Sequence, residues 1–454
     1  MLNVRLFLPG MGWRLFLEWW PVAVPASGEA GVDIFLVLSG FLIGSALQRE
    51  IATTGGIAFG TFCLRRAFRI FPAIVSAAIA TAVKNLVVGE PLECPNAAWS
   101  RNAVMFNNWP GAPVTCLGHT WSVALELQLY LATPLLLWAS SVSHALLARL
   151  LPGSKVSAAS VTAALCLGIW LACAALRLQW VNAARGSNLD TMALYFSTHF
   201  RCATYVAGVL AGVTIASLDP KDFAKAQPPW IGVLATAALS TSFVVVAFAC
   251  FVGADLSADI DGLVVARYRQ LAPGFAALHQ AFLRPLFGAA LGCIMFLCAV
   301  GLAPLTRAFL AWAGWRPLAG LSYSMYLLQY VGFPLLEKPF LSWVGHSLLV
   351  APLWLGILVA YVAVALFIIA AVPLAFLNYA LVELPGIAAG KRVAEAIGSV
   401  LAALRRRHSA AGEEATGEAS EERAGFDLEG GSGSGRHLEV EAKAFAGGRV
   451  AAAS

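Results

Sequence analysis

The sequence predicts an all-α fold, a polytopic bundle of transmembrane helices, and three properties of its composition predict it. Of the 454 residues, 59% are hydrophobic and 12% are charged, and the mean hydropathy is +0.76. Soluble domains are about 45–50% apolar and about 25% charged. This chain therefore has too few polar side chains to cover a water-soluble surface, which excludes a soluble enzyme, a disordered scaffold and a disulfide-framework secreted domain. The net charge of +5 is small and indicates no nucleic-acid partner.

Nine stretches are apolar enough to form membrane spans, for which about 20 residues are needed. Between them lie Pro, Gly, Asn and charged residues, with Trp at several edges, as is typical of membrane interfaces. We find no internal repeat and no additional soluble domain. The predicted spans are 31–48, 68–88, 120–139, 158–178, 203–218, 230–252, 286–304, 318–335 and 348–376.

The two ends of the chain differ from the predicted membrane domain, 31–386. Residues 1–30 are interrupted by Pro and contain three Trp, which favours an interfacial loop on the outer face. Residues 387–454 are rich in Glu, Gly, Ala and Ser, so we expect a disordered tail. Basic clusters flank the second span and follow the ninth, which places the tail in the cytosol by the positive-inside rule. Nine spans then leave the N-terminus outside, so we expect a tenth helix upstream of Met1.

Two of the nine cysteines stand apart from the predicted helices. Cys94 and Cys116 both lie in the long polar loop between the second and third spans, on the side predicted to face an oxidising compartment. We predict a disulfide between them. The sequence contains no C-x-x-C spacing and indicates no metal site.

Polar residues at the start of the first two spans are candidates for function, because polar groups in a membrane are costly. Asp33 opens the first span, where a carboxylate either complements the helix dipole or acts in chemistry. Ser39 lies deeper in the same span and is either bonded to its own backbone or available to a ligand. Arg65, Arg66 and Arg69 begin the second span; they either set the topology or clamp phosphate groups.

The third span has the most informative stripe, because His119, Ser122, Glu126 and Tyr130 share one helix face. A carboxylate below a histidine is typical of acid–base chemistry, and the alternative is a polar network that joins helices. In the eighth span we expect substrate contacts from three residues, the alternative for the tyrosines being an aromatic belt. These three are Ser322, Tyr323 and Tyr326.

Together these clusters resemble the acyltransferase 3 family, a group of ten-helix membrane acyltransferases. The family patterns G-V-D-x-F-F-V-x-S-G-F-L, R-R-x-x-R-I-x-P, H-T-W-S-x-x-x-E-x-Q-x-Y, S-Y-S-x-Y-L and Y-x-x-x-E-x-P have counterparts here in the family's order. The counterparts are residues 31–42, 65–72, 119–130, 322–327 and 379–385.

The polar loop is similar to that of the nose-resistant-to-fluoxetine branch of the family. The similarity rests on its two cysteines, Cys94 and Cys116, and on the Trp and Asn residues between them. In that branch the acid at the position of Glu126 is typically Asp, whereas this chain has Glu.

The resemblance implies transfer of an acyl group from acyl-coenzyme A to a hydroxyl on a sugar, lipid or other acceptor. It implies that the arginines of the second span meet the donor's phosphates and that Glu126, near His119, faces the reaction chamber. We therefore expect His119, Glu126 and Asp33 to be catalytic. The expected partners are the bilayer, acyl-coenzyme A and an unidentified hydroxyl acceptor, with no permanently bound cofactor. The remaining expected substrate-binding residues are Arg65, Arg66, Arg69, Ser39, Ser122, Gln128, Tyr130, Ser322, Tyr323 and Tyr326.

The sequence also departs from the family pattern. Family members carry an Arg/Lys-x10-His motif on the first helix, and no histidine precedes His119 here. Gln329 stands where the family often has His, and Leu127 replaces the second acid of a Glu pair. The chain is then either part of a normal enzyme that lacks its first helix, an inactive relative, or a transporter of small molecules or lipids.

Overall fold

The structure is a computed structural model that describes the following parts of the chain. These are residues 30–89, 96–109, 117–183, 191–218, 228–257, 273–329 and 353–400, with the single residues 223, 331 and 403. The described residues are helical or form connections between helices, and none of them is in a β-strand. The prediction of an all-α polytopic bundle is confirmed. Residues 1–391 form one compact unit; a second comprises 392–454, of which 392–400 and 403 are described as helical.

Twelve helices are numbered here in chain order. They are α1 Ala30–Thr54, α2 Phe59–Val88, α3 Asn96–Ala103, α4 Trp121–Leu150, α5 Ala158–Ala183, α6 Thr191–Phe196, α7 Thr198–Ala216, α8 Pro229–Ser257, α9 Pro273–Ala299, α10 Pro304–Leu310, α11 316–329 and α12 Leu353–Asn378. Single turns of tighter or wider helix add to these: a 3₁₀ turn, Gly118–Thr120, precedes α4, and a π-helical turn, Tyr379–Glu383, extends α12.

Eight helices of the described residues are long and apolar enough to cross a bilayer. The predicted span 318–335 corresponds to α11, but residue 330 and residues 332–352 lie outside the described part of the chain. Several helices extend beyond their predicted spans: α2 begins at Phe59, two turns or more before the predicted start at residue 68. The apolar pattern marks the segment in lipid, whereas the backbone hydrogen bonding continues into the interface.

The direction of each helix defines two faces of the membrane bundle. Helices α1 and α2 are joined by a short turn, so α1 ends and α2 begins on the same face, which we call the basic face. Helix α4 starts beside the 96–109 loop on the opposite face, which we call the loop face, and ends on the basic face. By the same alternation α7 and α9 run from the loop face to the basic face.

Helix α7 lies at the centre of the packing and contacts α1, α4, α5 and α9. Its span is 67% buried inside the protein, compared with 11% for the span in α8. Helices α1 and α7 approach closely because two G-x-x-x-G pairs interlock. A Cβ on Gly208 would lie 2.0 Å from the carbonyl oxygen of Val37, and one on Gly40 would lie 2.3 Å from that of Tyr205. This is the small-residue contact expected between membrane helices.

Two more glycine contacts complete the framework. On the other side of α7, a Cβ on Gly288 of α9 would lie 2.6 Å from the Cα of Thr204. At the basic face, a Cβ on Gly386 would lie 2.7 Å from the carbonyl oxygen of Phe68, so the chain after α12 packs directly on α2. The arginines of α2 are therefore held at a rigid helix contact.

Candidate functional site

Four side chains meet inside the bundle and form what we call the central cluster: Ser39 of α1, Arg66 of α2, and Glu126 and Tyr130 of α4. The hydroxyls of Ser39 and Tyr130 both donate hydrogen bonds to the carboxylate oxygen Oε1 of Glu126. Tyr130 also lies 3.1 Å from the Ser39 Oγ. The guanidinium of Arg66 stacks over the Tyr130 ring, 5.1 Å from its centroid. The cluster therefore joins α1 to α4 through the Glu126 carboxylate and α2 to α4 through the Tyr130 ring.

The central cluster is partly open, although it lies within membrane helices. Tyr130 is buried, whereas Ser39, Arg66 and Glu126 keep intermediate exposure. On the α7 side, the Tyr205 ring packs against the Tyr130 ring with centroids 6.4 Å apart. The Tyr205 hydroxyl shares a hydrogen bond of 2.7 Å with the Thr133 hydroxyl. Partial exposure of an intramembrane carboxylate indicates a space that a substrate can enter, because a carboxylate that faced lipid would be costly.

The three arginines of α2 divide between two environments. Arg66 belongs to the central cluster, and its guanidinium also lies over the Phe62 ring, 5.7 Å from the centroid. Arg65 and Arg69 are exposed, one helical turn apart on the same side of α2. Arg69 lies within electrostatic reach of Tyr323 in α11 and of Glu383 in the π-helical turn after α12. The guanidiniums of Arg65 and Arg69 are thus exposed near the basic-face end of α2, whereas that of Arg66 extends into the bundle.

His119 and Ser122, at the loop-face end of the polar stripe that continues along α4, contact α11 instead of α1. The His119 ring lies edge-on to Tyr326, with centroids 5.7 Å apart, and its Nε2 is 3.0 Å from the carbonyl oxygen of Leu327. Because a carbonyl only accepts, Nε2 carries the proton, and Nδ1 is the acceptor nitrogen of the neutral ring. The Tyr326 hydroxyl also bonds the His119 carbonyl oxygen and lies 2.5 Å from the Ser122 hydroxyl. His119 is buried, at 5% exposure.

Gln128, an expected substrate-binding residue, fixes a loop instead. Its amide Nε2 donates to the Met105 carbonyl oxygen at 2.7 Å and to the Asn108 Oδ1 at 2.9 Å. Its Oε1 accepts from the Thr198 hydroxyl at 2.5 Å. Asn107 donates in turn to Thr120 at 2.9 Å. These bonds attach the 96–109 loop to the start of α4 and α7.

Asp33 belongs to an ion triad with Arg201 of α7 and Arg284 of α9. The Nη1 of Arg201 is 3.1 Å from Oδ1 of Asp33, and the Nη1 of Arg284 is 2.7 Å from Oδ2. Both guanidiniums also stack over the Tyr195 ring, at 5.1 and 4.8 Å. Asp33 is 1% exposed and Arg201 is fully buried. The triad lies at the loop-face end of the glycine contacts, so it fastens α1, α7 and α9 together.

The sequence analysis did not identify three arginines within the helices: Arg177 and Arg201, which are buried, and Arg284, which is partly exposed. The signal was present, since an arginine within an apolar run is unusual. The predicted spans 203–218 and 286–304 began just after two of them, whereas α7 and α9 begin earlier and include them. The third, in α5, donates to four backbone carbonyl oxygens at 2.7–3.1 Å. These belong to Leu194, Phe200, Gln280 and Ala281.

A second polar network joins α2, α11 and α12 on the basic-face side. Asn378 accepts a hydrogen bond of 2.5 Å from Ser76 and donates one of 3.0 Å to Ser324. The Ser324 hydroxyl donates to Glu383 Oε2 at 3.0 Å, and Glu383 is 2% exposed. The π-helical turn at Tyr379–Glu383 turns this carboxylate inward, and such turns are frequent at functional sites.

The remaining predicted residues fall into three groups. The Tyr323 hydroxyl donates to the Ile70 carbonyl oxygen at 3.2 Å, and Glu126 and Glu383 both lie within its electrostatic reach. Ser322 donates to the carbonyl oxygen of Ala319 in its own helix at 2.9 Å. Cys94 and Cys116 lie outside the described residues, and their disulfide stays a prediction.

The sequence of this chain is similar to those of known proteins. A family model described as an acyltransferase domain matches residues 4–376. The O-acetyltransferase OatA of Staphylococcus aureus, from strains NCTC 8325 and COL, is 28% identical over 239 residues. That alignment covers 49% of this chain and 36% of OatA.

Other Staphylococcus aureus proteins, provisionally named as O-acetyltransferases, are 32% identical over 123 residues, which is 24% of this chain and 20% of theirs. The chain thus spans about a third or less of the length of these relatives. No solved structure matches it. Since the family model covers most of the sequence, this chain is a multi-pass membrane protein that belongs to the acyltransferase 3 family.

Proposed function

We propose that the chain is a membrane O-acyltransferase that moves an acyl group from acyl-coenzyme A to a hydroxyl on a sugar, lipid or other acceptor. Membership of the family and the names of the O-acetyltransferase relatives support the general activity. The observation that carries the proposal for this chain is the contact in the central cluster. There Arg66, from the basic face, meets Tyr130 and through it the partly exposed carboxylate of Glu126.

We assign the donor's phosphates to the exposed arginines of α2. Arginine binds phosphate oxygens bidentately, and Arg65 and Arg69 are one turn apart on the same side. With the phosphates bound at the basic-face end of α2, the thioester end of the donor extends towards Arg66. A guanidinium there would stabilise the negative charge that develops on the thioester oxygen. This placement assigns the basic face to the cytosol, where the C-terminal tail would also lie.

We assign the proton acceptor to Glu126. The acceptor hydroxyl attacks the thioester carbonyl carbon and gives its proton to this carboxylate, while the coenzyme A thiolate leaves and is protonated in turn. Two observations favour Glu126 over His119: the carboxylate is partly exposed, and the imidazole is buried, with one nitrogen bound to a backbone carbonyl. The hydroxyls of Ser39 and Tyr130 orient the carboxylate.

The donor assignment is tested with the full chain in proteoliposomes supplied with labelled acetyl-coenzyme A. Arg69→Gln is expected to raise the KM for the donor about tenfold or more, because a hydrogen bond to a charged group is worth roughly 1.5–3 kcal/mol. The matched control is Arg49→Gln, since this arginine lies near the basic-face end of α1, away from α2's arginines in sequence. Equal KM values for the two variants, or wild-type protein that neither binds nor consumes the donor, would contradict the proposal.

A transporter remains the second candidate, and the ion triad is the observation that favours it. Intramembrane ionic groups such as Asp33 with Arg201 often mark substrate pathways. The same proteoliposomes separate the two functions: an acyltransferase releases free coenzyme A thiol, whereas a transporter moves its substrate across the vesicle membrane without cleaving the thioester.

A further inference from the structure

The connection between α9 and α11 exposes large apolar side chains outside the membrane spans. Helix α10 and the 3₁₀ turn Ala313–Trp315 form this connection at the basic face, where α9 ends. Leu305 is 86% exposed, Phe309 62% and Trp312 60%. Apolar side chains exposed at this density mark an interaction surface.

The aromatic residues of this connection form an ordered group, which we call the aromatic cluster: Phe309, Trp312 and Trp315. The Trp315 indole N–H donates to the Phe309 carbonyl oxygen at 2.9 Å, so it satisfies a carbonyl at the end of α10. The Trp312 and Trp315 rings meet edge to face with centroids 5.3 Å apart. A Cβ on Gly314 would lie 2.6 Å from the Trp312 ring, so the ring packs directly over this glycine. The surface is therefore preformed.

The charges of the connection lie apart from its apolar side. Leu305 and Phe309 are four residues apart and share one side of α10, whereas Arg307 lies about 200° round the helix from Leu305. Arg316 follows the aromatic cluster at the start of α11. An apolar side with aromatic residues and a basic opposite side are the properties of helices that lie in a membrane interface.

The surroundings of the connection indicate lipid as its partner. At its start, Ala303 is buried against Ala235 and Leu297, so the connection continues directly from the packed ends of α8 and α9. Trp230, at the basic-face end of α8, is 59% exposed, as an aromatic residue facing the membrane interface would be. Helix α10 thus begins beside the basic-face ends of two spanning helices, one of which exposes an aromatic side chain at the same face.

We propose that the connection Pro304–Trp315 lies within the headgroup layer of the membrane at the basic face. The aromatic cluster inserts towards the acyl chains, and Arg307 and Arg316 bind anionic headgroups. This surface anchors the junction of α9 and α11 to the bilayer. The proposal is independent of the acyl-transfer activity.

Photocrosslinking tests the partner directly. The full chain is reconstituted in vesicles of phosphatidylcholine and phosphatidylglycerol, with p-benzoylphenylalanine in place of Phe309. The matched control carries the same crosslinker in place of Ala311, which directly follows α10 and lies about 200° round the helix axis from Phe309. We expect abundant lipid adducts at 309 and few at 311. Crosslinks at 309 to a second copy of the chain, or equal lipid labelling at both positions, would overturn the proposal.

The arginines are tested by the composition of those adducts. A basic residue near an anionic surface is worth about 1 kcal/mol, so Arg307→Gln is expected to lower the ratio of phosphatidylglycerol to phosphatidylcholine adducts about fivefold. Arg316→Gln should act similarly, and Arg101→Gln, in α3 on the loop face, should leave the ratio unchanged. An unchanged ratio in both test variants would overturn the headgroup contact. Both arginines are exposed, so neither variant should compromise folding.

Discussion

Asp33 and Glu126 are both carboxylates of the membrane bundle with arginine nearby, yet their surroundings differ. Asp33 is 1% exposed and bound directly by two guanidiniums. Glu126 is partly exposed and accepts hydrogen bonds from two hydroxyls, and Arg66 stacks on the Tyr130 ring. The first carboxylate is enclosed by its two arginines and joins helices. The second is partly accessible, as the proton acceptor proposed above must be, so accessibility and not proximity to arginine distinguishes the two carboxylates.

The largest expected effect is on the rate after substitution of Glu126. Glu126→Gln retains the shape of the side chain and can still accept hydrogen bonds from Ser39 and Tyr130, but it cannot take a proton at this step. We expect acyl transfer to fall about 10²–10⁴-fold, the usual contribution of general acid–base catalysis. The measurement is release of coenzyme A thiol from acetyl-coenzyme A. Glu50→Gln, at the basic-face end of α1, is the control and should retain the wild-type rate.

Thermal unfolding should show the same two variants to be intact. If Glu126→Gln instead unfolds much earlier than the wild-type protein, the central cluster is a packing feature and the comparison with Asp33 fails.

Asp33→Asn is expected to act on stability. It leaves Arg201 and Arg284 without the carboxylate that binds both, and breaking a buried ion pair costs about 3–5 kcal/mol. Thermal denaturation of the protein in detergent micelles measures this loss of stability. Adding Arg284→Gln should recover part of the stability, because the triad couples the two sites. A single variant as stable as the wild type would show that the triad does not hold the helices together.

A smaller effect is expected at the glycine contacts. In Gly208→Ala, the added methyl group would lie 2.0 Å from the Val37 carbonyl oxygen, so α1 and α7 must separate. Overpacking of this kind costs about 1–3 kcal/mol. The matched control is Gly168→Ala in α5, where nothing lies within 4 Å of the added carbon. Equal unfolding temperatures for the two variants would contradict the close α1–α7 packing.

Composition and apolar run length were sufficient to predict the fold class and most of the spans. The 119–130 stripe was also predictable, since its polar residues do share a helix face. Which neighbouring helix each part of the stripe contacts was not predictable. His119 and Ser122 contact α11, whereas Glu126 and Tyr130 contact α1. Helical periodicity gives the face of one helix but not which neighbour covers each turn.

The arginines within the helices show a second limit. Span prediction favours windows without charge, so it began two spans after Arg201 and Arg284. Both arginines pair with Asp33 of another helix, and local hydropathy contains no information on such a long-range pairing. Gln128 is the converse case, because a motif residue that suggested substrate binding instead attaches a loop.

The central claim is that the acyl end of the donor reaches the central cluster from the basic face. The most direct test is photolabelling of the full-length protein with an acyl-coenzyme A that carries a diazirine in its acyl chain, followed by mass spectrometry of the labelled peptides. We predict label on the α1 and α4 peptides that contain Ser39 and Glu126–Tyr130, and competition by unlabelled acetyl-coenzyme A. Label confined to other helices, with these peptides unmodified, would contradict the account.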